Sequence, residues 1–366
     1  MRSSTVTLGL AALLAWTVTA ECRAAGRQEV WLINTCRVGG VCCPAIDCSA
    51  VDYWRLDGEC RWTCADLPTL LAGDDPGMPT TVFIHGMWED PQEAISMAWP
   101  IYQQLKCEAG ERSFRLLIWA WPADRQLRRI RADSQLHACR SDTESLLLAQ
   151  YLDRTKPTVP LNLIGYSFGA RVVGGALELL AGGQIAGCCL PQPHSAAPRV
   201  PVRAMLVGAA MDWDWLLPGH RNGLALSLVE RMLVTVNRAD PVLKRYPLLY
   251  HRHGPQSLGS VGPACPCCLG PEQAKLQLVN VRCAVRHRHD WDHYVGCSGI
   301  LGLLGQYSFR PPITSATLAP APATAAVSPS ENYLAAPGSV TSTEPKMWAP
   351  AARSARTARW AARRGV

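Results

Sequence analysis

Residues 165–169 read Gly165-Tyr166-Ser167-Phe168-Gly169. An apolar run, Val159 to Ile164, comes immediately before them, and a helix-forming stretch, Ala170 to Leu180, follows at once. Strand, G-x-S-x-G and helix in direct succession describe one local structure, a serine on a tight turn with its hydroxyl standing above the end of a sheet. Strand and helix approach each other closely at such a turn. Glycine two residues before and two after the serine removes the side chains that would clash there. Few folds can satisfy this motif, because it needs a buried strand, a turn and a covering helix at one point of the chain.

The surrounding sequence supplies the rest of such a fold. Strands are predicted over Val30–Asn34, Val51–Leu56, Thr80–His85, Phe114–Trp121, Val202–Gly208, Met232–Asn237 and Leu276–Val281. Helices are predicted over Pro91–Cys107, Asp133–Tyr151 and Gly223–Glu230, with an irregular stretch from about Leu248 to Gly270. Strands alternating with helices at this spacing predict an α/β fold, a mostly parallel central sheet with helices on both faces. The cysteine-rich loops would be insertions into it.

Both ends of the chain read differently. Residues 1–25 carry Arg2, an apolar core from Val6 to Val18 and small-residue cleavage sites, Val18-Thr19-Ala20 or Arg23-Ala24-Ala25, the pattern of a secretory signal. The apolar core is shorter than the roughly 20 residues of a membrane span, although an uncleaved signal would act as an anchor. Residues 308–366 are rich in Ala, Pro, Ser and Thr and predict a disordered basic tail. That leaves 26–307 as one domain of about 280 residues, which is ample for a sizeable core. The formal net charge of +7 comes mostly from the tail, where seven Lys and Arg face two acids. The domain itself is nearly neutral, so charge makes no case for nucleic acid. The tail would at most touch an envelope or membrane surface weakly.

Sixteen cysteines beside a signal sequence predict disulfides formed in an oxidising compartment, six of them between Cys36 and Cys64 and three in Cys265-Pro266-Cys267-Cys268. His251 and His253 precede the second group. Adjacent cysteines are poorly spaced for tetrahedral zinc, however, and no metal or cofactor is expected.

A serine hydroxyl needs a base to take its proton, and the base needs a carboxylate to hold its tautomer. Asp240, in a loop after strand 232–237 and before Pro241, is the candidate acid, with Asp212 and Asp214 as alternatives. The histidine is sought in 286–294, after the last strand. His293 is preferred because His293-Tyr294-Val295 runs into the apolar segment 299–304, with His289 and then His287 as alternatives. The same three histidines have spacing that allows a metal, but a metal would leave the serine turn unexplained. Oxyanion donors are expected at the backbone N–H of Phe168 and of Met87, in the loop His85-Gly86-Met87-Trp88 where Gly86 permits close approach. His85 reads as a core histidine that organises that loop. Trp88, Trp99, Met211, Trp213 and Trp215 follow strands and either line an acyl pocket or simply pack.

Strand-His-Gly, then G-x-S-x-G, then Asp, then His, in this order from Val30 to Leu304, resembles the α/β-hydrolase superfamily, in particular its secreted bacterial esterase- and lipase-like members. The resemblance implies a cofactor-free serine hydrolase acting on a small-molecule or lipid ester through an acyl-enzyme on Ser167, with His293 as base and Asp240 as orienting acid. The protein would then be secreted or periplasmic. The alternative is a catalytically silent hydrolase fold used as a binding or envelope-associated module.

Overall fold

The computed structural model describes residues 26–38, 48–190, 199–200, 202–249 and 254–309. The expected signal at 1–25, most of the expected tail, Cys42, Cys43, His251 and His253 lie outside them. Nine strands form one sheet: β1 (Gln28–Asn34), β2 (Asp52–Leu56), β3 (Trp62–Ala65), β4 (Thr80–Ile84), β5 (Phe114–Ala120), β6 (Leu161–Tyr166), β7 (Val202–Val207), β8 (Val229–Val236) and β9 (Leu276–Asn280). Their spatial order is β3-β2-β1-β5-β4-β6-β7-β8-β9. Every pair from β1 to β9 is parallel, and β2 and β3 add an antiparallel edge.

The central strands are buried on both faces, and their side chains alternate between two cores. Val82, Ile84, Leu117, Trp119, Leu161 and Leu163 point into one core. It is covered by α3 (Ile130–Arg154) and α4 (Gly169–Leu180), with the short α1 (Leu67–Ala72) at its edge. Phe83, Leu116, Ile118, Ile164 and Tyr166 point into the other, under α2 (Pro91–Ala109), α8 (Trp291–Val295) and α9 (Ser298–Phe309). Three short helices complete the loops, α5 (Pro241–Lys244), α6 (Leu258–Val261) and α7 (Arg282–Val285). The start of α2 is fixed by a capping box: Asp90 accepts from the Glu93 N–H, and Glu93 accepts from the Asp90 N–H.

Three expectations change. The segment 223–230 is not an α-helix but a 3-10 turn over 225–228 that runs straight into β8. The irregular stretch contains α6 and a second 3-10 segment over 266–275. Ser308 and Phe309, expected to open the tail, instead close α9, where the Ser308 hydroxyl is buried and meets Thr81 Oγ1 at 3.1 Å. The cysteine-rich loops are insertions, as expected. Among the described residues one disulfide forms, Cys265–Cys268, while Cys36, Cys60 and Cys64 of the first insertion stand as thiols. No helix among the described residues is long and apolar enough to cross a membrane.

Candidate active site

Parallel strands deliver their carboxyl ends to one edge of the sheet, and the loops that follow β4, β6, β7, β8 and β9 meet there. Ser167 leaves β6 with a φ of 53°, a left-handed conformation that a non-glycine residue seldom adopts. Its N–H donates to Val207 O at 2.9 Å, and its carbonyl accepts from Ala170 and Ala210. The flanking glycines are needed sterically. A Cβ on Gly165 would stand 2.5 Å from Gly169 O, and one on Gly169 would stand 2.8 Å from His85 O and closer still to Ile84 O. A Cβ on Gly86 would come within 3.2 Å of Ser167 Cβ, so the loop after β4 lies against the serine.

A strained serine at the carboxyl end of a central parallel strand, with α4 springing from it, decides the architecture. The chain has the α/β-hydrolase fold. The loops after β8 and β9 both face the serine. His289 Nε2 lies 2.9 Å from Ser167 Oγ, and His289 Nδ1 lies 2.7 Å from Asp240 Oδ2. A carboxylate only accepts, so Nδ1–H donates to Asp240 and Nε2 is left to accept from the serine hydroxyl. Asp240 is fully buried at the N-cap of α5, where its Oδ1 accepts from the N–H groups of Val242 at 2.8 Å and Leu243 at 3.1 Å.

The ring that faces Ser167 is therefore that of His289 and not, as expected, that of His293. His293 sits within α8, with its side chain 44% exposed and its Nδ1 3.9 Å from Asp290 Oδ2. Trp291 and Tyr294 take the buried face of that short helix and turn residue 293 to solvent. His287 is exposed and points its Nδ1 at Ala239 O, 3.2 Å away. The three rings do not converge as metal ligands. The alternative acids also lie elsewhere: Asp212 accepts from the Tyr246 hydroxyl at 2.5 Å, and Asp214 pairs with His220 at 3.2 Å.

Several positioning groups were not singled out from sequence. Tyr166 donates its hydroxyl to His289 O at 2.6 Å, and its ring stacks on the imidazole with centroids 5.5 Å apart. Buried Asn237 accepts from Ala239 N–H and donates to Arg286 O at 2.9 Å, tying the acid turn to the histidine loop. Gly208 lets the histidine loop close down: a Cβ there would meet Tyr294 Oη at 3.1 Å and His289 Cε1 at 3.4 Å.

The loop after β4 is braced by His85, whose Nε2 accepts from Trp121 N–H at 3.2 Å, so that Nδ1–H donates to Gly86 O at 2.9 Å. Complete burial pushes the His85 pKa down to about 4, and the ring stays neutral in this role. Phe168 and Met87, the expected oxyanion donors, lie on the two loops that flank Ser167: Phe168 follows it at the start of α4, and Met87 follows Gly86. Glu89, two residues further along, is a half-buried carboxyl raised to about 7, first by burial and then by Glu93, Asp90, Asp292 and Asp290.

The proposed aromatic lining is mostly packing. Met211 and Trp215 are buried, the guanidinium groups of Arg171 and Arg221 lying 4.5 and 4.8 Å from the Trp215 ring centroid, and Trp99 stacks on Tyr102 on α2. A cavity of about 220 Å³, lined by Pro79, Leu161, Asn162 and Arg203, lies at the opposite, amino-terminal edge of the sheet. Away from the site, the sulfurs of Cys265, Cys267 and Cys268 lie within 4.8 Å of one another. The disulfide takes two of them, leaving Cys267 as a single thiol ligand.

No family model and no curated protein matches the chain. Among solved structures it is similar to a cutinase-like protein from Cryptococcus sp., with 16% identity, 63% of this chain and 92% of that one covered, and a TM-score of 0.32. It is also similar to Trichoderma reesei cutinase, with 12% identity, 64% and 77% coverage and a TM-score of 0.29. A lipase-esterase related protein from Clostridium acetobutylicum gives 11% identity, 64% and 95% coverage and a TM-score of 0.29.

Proposed function

We propose that the protein is a serine hydrolase of carboxylic esters. The observation that carries this reading is the continuous line Ser167 Oγ, His289, Asp240, with separations of 2.9 and 2.7 Å. In the proposed reaction His289 Nε2 takes the hydroxyl proton as Ser167 Oγ attacks the acyl carbon. Asp240 holds the imidazole by Nδ1–H and stabilises the imidazolium that forms. The negative charge on the former carbonyl oxygen is held by the N–H groups of Phe168 and Met87. The proton on Nε2 then passes to the departing alkoxide, and the acyl group remains on Ser167. Water, deprotonated by the same nitrogen, releases the acid and restores the serine. Met87 depends on the neutral His85 ring, which fixes Gly86 O and with it the course of the loop. The leader expected at 1–25 would carry the enzyme out of the cytoplasm.

The test uses nitrophenyl esters of short and long acyl chains, together with a fluorophosphonate probe. The wild-type protein should turn over at least one ester and take one equivalent of probe, and Ser167→Ala should do neither. A folded wild-type protein that is inert to every ester and to the probe would instead support the silent binding module.

A further inference from the structure

Next to the candidate site the chain makes an exposed stretch for which neither the core nor the proposed chemistry has a use. Residues 124–131, between β5 and the first turn of α3, are all exposed and read Asp124-Arg125-Gln126-Leu127-Arg128-Arg129-Ile130-Arg131. Four arginines stand against one aspartate. Arg128 and Arg129 meet no carboxylate among the described residues. Between the arginines, Leu127 and Ile130 are 41% and 43% exposed, two of the few large apolar side chains left in solvent. A third, Leu248 at 53%, precedes Leu249, whose carbonyl accepts from Gln135 in the next turn of α3. Apolar side chains exposed together and ringed by cations cost solubility without serving the fold.

The stretch is held firmly, and what holds it also touches the site. Fully buried Asp133 accepts from the N–H groups of Gln126 at 3.0 Å and Leu127 at 2.7 Å through Oδ1, and from Trp88 Nε1 at 2.6 Å through Oδ2. His137 spans Asp133 O and Asp124 O with its two ring nitrogens. Trp88 N–H donates to Ala123 O at 2.6 Å, and the Arg125 guanidinium lies 5.7 Å from the Trp88 ring centroid. Trp88 directly follows Met87, so the basic, apolar ledge is fastened to the loop that borders Ser167.

We propose that 124–131 is a docking ledge for an anionic lipid surface, with Leu127 and Ile130 entering the interface and the arginines meeting lipid phosphates. Leucine and isoleucine gain by leaving water for the acyl boundary, and the cations are attracted by the surface potential. An acidic protein or a nucleic acid would use the arginines but gives no reason for the two aliphatic side chains. That the ledge presents a lipid ester to Ser167 rests on the hydrolase reading; that it binds the surface does not.

The experiment is co-sedimentation of the full chain carrying Ser167→Ala, which separates binding from turnover, with vesicles of pure phosphatidylcholine or of phosphatidylcholine with phosphatidylglycerol. Binding should require phosphatidylglycerol and weaken as salt rises. Arg128→Ala with Arg129→Ala should weaken it roughly 30-fold, and Leu127→Ser with Ile130→Ser at least tenfold. The same pairs in an active background should leave hydrolysis of a short soluble ester within about twofold, since neither touches the reacting groups. Equal binding to both vesicles, or unchanged binding by both variant pairs, would overturn the proposal. So would retention on heparin that falls with the arginine pair while vesicle binding does not, because that result marks a polyanion site.

Discussion

At the scale of single residues, the site depends on where one imidazole stands. His289 lies in the loop two residues before α8, and from there its ring reaches over the sheet edge to both Ser167 and Asp240. His293, four residues on, belongs to the helix. We expect His289→Ala to lower kcat on a nitrophenyl ester by roughly 1,000-fold or more, and His293→Ala to change it by less than about threefold. The reverse order of effects would remove His289 from the mechanism. Tyr166→Phe should cost an intermediate amount, visible in kcat more than in KM, because the hydroxyl holds the His289 backbone and not the substrate. Ser167 and Asp240 each stand in a local pattern, G-x-S-x-G and strand-loop-Asp-Pro, and the structure brings both to one imidazole. Three histidines lie within seven residues, and the apolar segment beyond them favours His293 in sequence, whereas His289 is the one that faces Ser167. A better signal was present: Trp291, Tyr294 and Val295 repeat at helical spacing, and that period turns His293 outward.

The elements were legible to the extent that burial alone decides them. β4, β5 and β6 are predominantly apolar segments and fold as strands buried on both faces. The segment 223–230 misled for the opposite reason. Its leucines and alanine suit a helix, but Val229, Met232, Leu233 and Val234 are required in the sheet between β7 and β9, and pairing there outweighs local preference. The antiparallel edge strand β3, only half-buried, carries too weak an alternation to be read in advance. The junction of β6 and α4 is where element packing and the site meet. Gly169→Ala would drive a Cβ against the backbone of Ile84 and His85, which cannot yield without moving α4 or β4. We expect a loss of about 3 kcal/mol in unfolding free energy. Activity should fall further than the folded fraction, since the shift displaces Ser167 as well. Gly302→Ala, in α9 with no neighbour within 4 Å and no positive φ, serves as the control for a helical glycine free of close approach. If Gly169→Ala unfolds no more readily than Gly302→Ala, the close approach of helix and strand is not a constraint on the fold.

For the molecule as a whole, buried ionisable groups set how stability depends on pH, and they oppose one another. Glu29 is buried, which by itself raises its pKa, but the hydrogen bond and charge of Arg115 outweigh this and hold it below the ordinary value. His85 is pushed down to about 4 by burial. Both contribute stability that is present above their ordinary values and lost as pH falls through their folded values. Glu144 acts in the other direction. It lies in α3, accepts from Thr35 Oγ1 after β1 and from Trp119 Nε1 in β5, and is raised by burial from 4.5 to about 7, the two hydrogen bonds only moderating the rise. The fold favours its protonated form, so its contribution is complete below about pH 4.5 and lost as pH rises through about 7. The displacement corresponds to roughly 3 kcal/mol. Glu144→Gln keeps an acceptor for Trp119 and removes the titration. Denaturant unfolding of both proteins at pH 4.5 and pH 8 should show the stability difference moving in favour of the variant by roughly 2–3 kcal/mol on going to pH 8. The wild-type curve should be flatter than that of the variant across the same interval, because the loss from Glu144 offsets the gain from His85. A difference that does not change with pH would mean that Glu144 binds its proton equally well folded and unfolded, and that the link from α3 to the first and fifth strands is made by a carboxylate after all.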